Sequence, residues 1–290
     1  MKKKPNSKTL DEDINNLTPE QKILFKEISK MRLDSNEVKY IVKQLQIPKK
    51  EKDNRIKRNY GGKKLKIGIV SDWHHGHQKF RYDIYEDSVH VFNREKVDEI
   101  YIPGDIIEGM SNREGHIYEL AIPGVTTQLE SVINLLNGYK QPILAILGNH
   151  DLWAMKKSNQ GVHIGKTLED KVKNFTYLGD MSGDIDLGNN ICIRMTHEGN
   201  SCYALSYSSQ KRINALSGGD KPNILLNGHL HKGLYMFYRN IHAMECMSLQ
   251  DQTDFMKMKG APSHVGFSIV DIKYNKHGVM TFQPTFYPYY

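Results

Sequence analysis

Five short strings in this chain bring together residue types that can hold metal ions. They are Asp72-Trp73-His74, Gly104-Asp105-Ile106-Ile107-Glu108, Gly148-Asn149-His150-Asp151, Thr196-His197 and Gly228-His229-Leu230-His231. Together they offer two carboxylates (Asp72, Asp105), one amide oxygen (Asn149) and four imidazoles (His74, His197, His229, His231). That donor set suffices for two divalent cations. A carboxylate between two cations can bridge them, because it has several lone pairs and offsets their mutual repulsion. Imidazole nitrogens favour Mn²⁺ first, with Fe²⁺, Zn²⁺, Co²⁺ or Ni²⁺ as alternatives, over Mg²⁺ or Ca²⁺. Taken singly, each string has a plain explanation as a turn, a cap or a surface histidine. Their coincidence, each after an apolar run, points to a metal-dependent hydrolase.

The elements that must position these strings can be read from the hydrophobic pattern. Leu65–Val70, Glu99–Pro103 and Pro142–Leu147 are short apolar runs, each delivering one of the first three strings. Residues 80–96 and 116–137 read as helices between them. This β-α-β-α-β order predicts a mainly parallel sheet covered on both faces. The second half is strand-rich, with predicted strands near 175–178, 184–187, 191–196, 223–227, 234–246, 264–272 and 278–286. One helix is expected at about 203–216. In such α/β sheets ligands collect beyond the carboxyl ends of strands, where Asp72, Asp105, Asn149, His197 and His229 all fall.

In order and spacing, the strings resemble the calcineurin-like metallophosphoesterase superfamily over about residues 65–250. The resemblance implies a four-layer α/β/β/α sandwich with the site at one edge of the two sheets. Carried over position by position, Asp72, His74 and His231 would hold one metal. Asn149, His197 and His229 would hold the other, with Asp105 bridging. His150 would touch the substrate phosphate and act as the catalytic imidazole. The implied reaction is phosphoester hydrolysis by in-line attack of a metal-bridging hydroxide, since two cations lower the pKa of a shared water toward ~7. His197, in Thr196-His197-Glu198-Gly199, departs from the usual context. Glu108 stands where Asp is frequent and reads as a support rather than a ligand. His75 and His77 crowd the first string, while His90, His116, His163, His242, His264 and His277 match no motif position. Candidate substrate contacts are Lys232, Arg212 and Tyr207, with Lys156, Lys157, Tyr203 and Gln210 also near the strings.

The 290 residues, 39% of them hydrophobic, can bury one large domain and a small appendage. Residues 1–17 are polar and expected to be disordered. Residues 18–62 read as a small basic helical segment with a linker, and 63–290 as the metallophosphoesterase domain. Thr18-Pro19-Glu20-Gln21 and Asp34-Ser35-Asn36-Glu37 are capping signatures for two short helices, which together resemble a helix-turn-helix. Charge follows the same division. Residues 1–66 carry 19 Lys+Arg against 9 Asp+Glu, and the remainder 21 against 24. A basic segment of this kind suits a polyanion, nucleic acid first.

Three cysteines without a paired spacing, no apolar segment behind the basic start and no run long enough to span a bilayer predict a reduced, cytoplasmic protein without membrane contact. The expected activity is phosphodiester hydrolysis on nucleic acid, as a DNA-binding nuclease. Two alternatives stay open: a small-molecule phosphoesterase for a nucleotide or cyclic nucleotide, and a DNA-binding or scaffold subunit with a residual metal site. Residues 251–263 read equally as a substrate lip or a dimer contact.

Overall fold

The computed structural model describes Lys22, Lys26 and residues 56–58, 64–156, 162–199 and 204–290. The chain divides into two units, Met1–Asn54 and Arg55–Tyr290. In the first, Lys22 and Lys26 are helical and exposed. The expectations for residues 1–17, for the rest of the helical pair and for Lys157 and Tyr203 lie outside the described residues.

The second unit is built on two six-stranded sheets. One contains β2 (Lys64–Ile69), β3 (Glu99–Pro103), β4 (Ile143–Leu147) and β5 (Phe175–Asp180), all parallel, extended antiparallel by β11 (Val265–Asn275) and β12 (Gly278–Tyr289). The other runs in the order β1 (Ile56–Lys57), β6 (Ser182–Asp186), β7 (Cys192–Thr196), β8 (Ile224–Asn227), β10 (Ile241–Glu245) and β9 (Leu234–Tyr238). Helices α1 (Tyr82–Glu95), α2 (Val125–Leu136), α3 (Asn149–Lys156), α4 (Ile164–Lys171), α5 (Tyr207–Ala215) and α6 (Asp254–Met258) complete the described elements, with a 3₁₀ turn at His116–Glu119.

The two-residue period of the strands explains the layering. Along β4, Leu144 and Ile146 enter the core between the sheets, where they meet Ile193, Met195 and Ile224. Ile143, Ala145 and Leu147 point the other way and pack under α1, α2 and α4 against Phe92, Leu129, Val132 and Leu168. Along β8, Ile224 and Leu226 face the inter-sheet core, whereas Leu225 joins Ile213 of α5 in a smaller cluster. The order is therefore α/β/β/α, as expected. Ile146 is fully buried between the sheets. Truncating such a residue to Ala typically costs ~2–5 kcal/mol.

Two readings of the sequence are corrected. The stretch 116–137 is not one helix: Pro123-Gly124 interrupts it, and Gly124, at φ 92°, leads into α2. The apolar run 234–246 is not one strand but a hairpin, β9 to β10. Its two turn residues, Arg239 and Asn240, both take positive φ (49° and 63°), the conformation a two-residue hairpin turn of this hand requires.

Candidate metal centre

The strands end at a common edge of the two sheets, and the five strings meet there. Asp72 and His74 follow β2, Asp105 follows β3, Asn149 and His150 open α3 after β4, His197 follows β7, and His229 and His231 follow β8. Five of these residues hold left-handed backbone: Asp72 (φ 49°), His74 (49°), Asp105 (50°), His229 (76°) and His231 (51°). A non-glycine residue there costs on the order of 1–3 kcal/mol and persists where the surroundings enforce it, commonly at functional sites. The glycines of the strings permit the close approach. A Cβ on Gly148 would collide with Asp105, and one on Gly228 would collide with the Pro103 carbonyl.

The side chains form three intersecting groups whose donor atoms lie within 4.8 Å of one another: Asp72, His74 and His231; His74, Asp105 and His150; and Asp105, His197 and His229. Nε2 of His231 is 3.3 Å from Asp72 Oδ1 and 3.2 Å from His74 Nε2. Nε2 of His197 lies 2.9 Å from Asp105 Oδ2, and that of His74 lies 3.7 Å from the same oxygen. Asp105 therefore belongs to both sides of the site. Asp72, His74 and His197 are almost wholly buried. Asn149 Oδ1 is buried without a hydrogen-bond partner. Buried polar atoms left in that state are rare unless something absent from the chain satisfies them. Two divalent cations would do so, and carboxylate, amide oxygen and imidazole are chemically apt donors for them.

The surrounding contacts fix which imidazole nitrogen is presented. His197 Nδ1 donates to the Pro103 carbonyl at 2.6 Å, so Nε2 faces the carboxylates. His74 Nδ1 meets Glu108 Oε2 at 2.8 Å, which turns its Nε2 inward. Such outer contacts set the tautomer and orientation of ligating histidines. Glu108 also accepts from His116 Nε2 at 2.7 Å, and His150 Nδ1 donates to the Glu108 carbonyl at 2.9 Å. The carboxylate of Asp151 accepts from three backbone N–H groups, those of Ile106, Ile107 and Gly148, and so ties the third string to the second.

The electrostatics follow from this crowding. Burial opposes ionisation of Asp72, Asp105 and Glu108, yet the neighbouring imidazoles hold all three below the usual carboxylate range. Burial works against charging His150 and His197 as well. Glu108 and Asp105 push His150 up to about 9, and Asp105 and Asp72 do the same for His197. Burial, then His197, bring His229 down to about 4. For Asp151, burial and Asp105 win over its three N–H donors and push it up to about 7.

A cavity of about 710 Å³ opens over these residues. Lys232, buried, lines it. The other two expected substrate contacts do not: Tyr207 is exposed on α5, and Arg212 donates to the Glu198 carbonyl and is drawn toward Glu245. Of the crowding histidines, His75 is taken up by Ser131 Oγ at 2.9 Å, while His77 lines the cavity 3.5 Å from Glu119. Sequence reasoning passed over His116 and Trp153. His116 sits eight residues from Glu108 in no recognisable spacing. Trp153 lies one helical turn after His150, its ring centroid 3.8 Å from the imidazole, and that three-residue offset on a helix was the available signal.

Residues 65–233, more than half of the chain, match the calcineurin-like phosphoesterase family (Metallophos), and the chain belongs to that family. Among curated proteins it is 21% identical over 238 residues to the DNA polymerase II small subunit of Methanothermobacter thermautotrophicus, covering 66% of this chain and 49% of that one. The chain thus spans about half the length of this relative. Among solved structures, a novel archaeal phosphodiesterase is 16% identical, with a TM-score of 0.45, over 77% of this chain and 100% of that one. The phosphoesterase Yfce of E. coli is also 16% identical, with a TM-score of 0.42, over 76% and 98%.

Proposed function

We propose that this chain is a two-metal phosphodiesterase acting on nucleic acid. The observation that carries the two-metal reading is the position of Asp105, shared between the group of His74 and the group of His197 and His229. In this reading Asp72, His74 and His231 hold one cation, Asn149, His197 and His229 the other, and Asp105 bridges them. Mn²⁺ is the first choice for such a donor set. Bound there, the two cations supply Lewis acidity toward the phosphate and an acidified water.

The remaining chemistry belongs to the protein. Asp72 and Asp105, buried and ionised, neutralise the centre and orient the donors. Glu108 turns His74 toward the site and favours the protonated form of His150. His150, tethered through Nδ1 to the Glu108 carbonyl, keeps Nε2 to assist the leaving oxygen.

Two features support nucleic acid as substrate. The first 66 residues carry a surplus of ten positive charges, 19 against 9, and an excess of that kind favours contact with a phosphate backbone. The curated relative is named as a subunit of a DNA polymerase. A second reading, hydrolysis of a free nucleotide or cyclic nucleotide, is favoured by the cavity of about 710 Å³, within the ~300–1,000 Å³ typical of small-ligand sites.

The test incubates the full chain and Mn²⁺ with single-stranded DNA, duplex DNA, RNA, bis-p-nitrophenyl phosphate and p-nitrophenyl phosphate. A truncation beginning at Arg55, which keeps β1, is run beside it. Polymer cleavage that falls on truncation supports the nuclease reading. Hydrolysis of small esters alone, unchanged by truncation, would replace it with the second reading.

A further inference from the structure

The cavity over the candidate metal centre is larger than a phosphate requires, and its outer walls are built differently from its floor. The floor is polar, with His74, Asp105, Asn149 and His150 among its residues. Two faces of the wall are apolar. One is the indole of Trp153 on α3, packed on His150. The other comes from Phe255 and Met256 of α6 and from Ala261. Residues 251–263, which the sequence left undecided between a lip and a dimer contact, thus form one rim of the cavity. The lining also includes polar side chains that can both donate and accept: Ser111, Asn112, Gln250 and Thr253.

Charge is sparse on this wall. Apart from histidines, Arg113 and Lys232 are the cations among the described lining residues. Arg113 donates to Glu119 Oε1 at 2.9 Å and lies 5.3 Å over the Phe255 ring. Its charge is already answered within the protein. A chain of further phosphates would find little to bind here. The Ser111 and Thr253 oxygens already accept from the Arg113 and Met256 N–H groups, but an acyl chain would leave the Asn112 and Gln250 amides without partners. A planar heterocycle with a π face and a hydrogen-bonding edge satisfies both kinds of wall at once.

We propose that the cavity is a nucleoside subsite, holding the base and sugar attached to the phosphate that lies on the metal centre. Trp153 supplies the stacking face, and Asn112 and Gln250 supply amides for the base edge. This inference rests on the phosphoesterase reading for what occupies the floor. It deepens that reading by placing a single nucleotide, rather than a length of duplex, inside the cavity. A polymer would enter by one strand end or one unpaired residue.

The test is a binding measurement independent of turnover. The chain contains two tryptophans, and Trp73 is fully buried against Phe80, Tyr85 and Tyr139. Ligand-induced changes in emission therefore report on Trp153. The full chain is titrated with thymidine 5′-monophosphate and with ribose 5-phosphate, once in Zn²⁺ and once in EDTA. The nucleotide should quench emission saturably and bind at least about ten-fold tighter than the sugar phosphate. Trp153→Phe should abolish most of the signal yet keep affinity in equilibrium dialysis, whereas Trp153→Ala should weaken it about ten-fold. Equal binding of the two ligands, or unchanged nucleotide affinity in Trp153→Ala, overturns the subsite. An inactive protein that still prefers the nucleotide would contradict the proposed activity and leave the subsite standing. An active one indifferent to the base would do the reverse.

Discussion

Asn227, the last residue of β8, accepts a hydrogen bond from the Thr196 hydroxyl on the neighbouring β7 at 2.8 Å. The same amide oxygen accepts from the Glu198 N–H at 3.2 Å, and its NH₂ group donates to the Glu198 carbonyl at 3.1 Å and to Glu245 Oε2 at 2.6 Å. Asn227 thus brackets His197 on both sides and locks it to the strand that delivers His229 and His231. Asn227→Ala should weaken metal binding at the His197 and His229 side by about ten-fold while leaving the Asp72, His74 and His231 side occupied. Calorimetric metal titration would reveal this as two unequal steps. Two unchanged steps would remove Asn227 from the account.

His150 separates metal binding from turnover. With Nδ1 committed to the Glu108 carbonyl, His150→Ala should retain both metals by elemental analysis and lower kcat ~10²- to 10⁴-fold. Loss of metal in this variant would instead make His150 a ligand.

Asp151 shows how a residue of a motif can serve the fold rather than the reaction. Its carboxylate takes up three buried N–H groups of two strings. Asp151→Ala leaves them unsatisfied and should cost about 2–4 kcal/mol in denaturant unfolding. A loss under about 0.5 kcal/mol would contradict that role.

The chelator-treated protein should respond to pH in a defined window. His150 and His197, each pushed up to about 9, stabilise the fold fully below their ordinary value near 6.5, and that contribution is lost as pH rises through about 9. The proton-linked contribution of Asp151, pushed up to about 7, is present below its ordinary carboxylate value and lost as pH rises to about 7, so it is gone before that window. His229, brought down to about 4, has already reached its deprotonated form. Thermal unfolding in EDTA should therefore shift to lower temperature between about pH 7.5 and 9. Metal-saturated protein should show a smaller shift, because a cation held by His197 would replace its proton. A flat or rising profile in EDTA would contradict the arrangement.

The parts of this molecule legible in the sequence are those written locally. Short apolar runs before Asp72, Asp105 and Asn149 announce buried strands, and the string residues follow at strand ends because each chain reversal needs its own short, polar signature. The hairpin at Arg239-Asn240 escaped because neither residue is glycine, although both adopt positive φ. The role of Asn227 escaped because four of its five side-chain hydrogen bonds reach residues more than 15 positions away in sequence. His116 escaped for a related reason, since its contact with Glu108 depends on how the 108–119 segment folds, whereas Trp153 had only its three-residue offset from His150 on α3 to mark it. Arg212 and Tyr207 read as substrate contacts because they follow His197 closely, yet α5 carries them to the outer face of the second sheet.

The most direct test of the central claim follows hydrolysis of bis-p-nitrophenyl phosphate as Mn²⁺ is added stepwise to metal-free protein. The shared position of Asp105 predicts activity that rises to a plateau at two equivalents per chain and is lost in Asp105→Ala together with bound metal. A plateau at one equivalent, or full activity in the Asp105 variant, would contradict a two-metal centre.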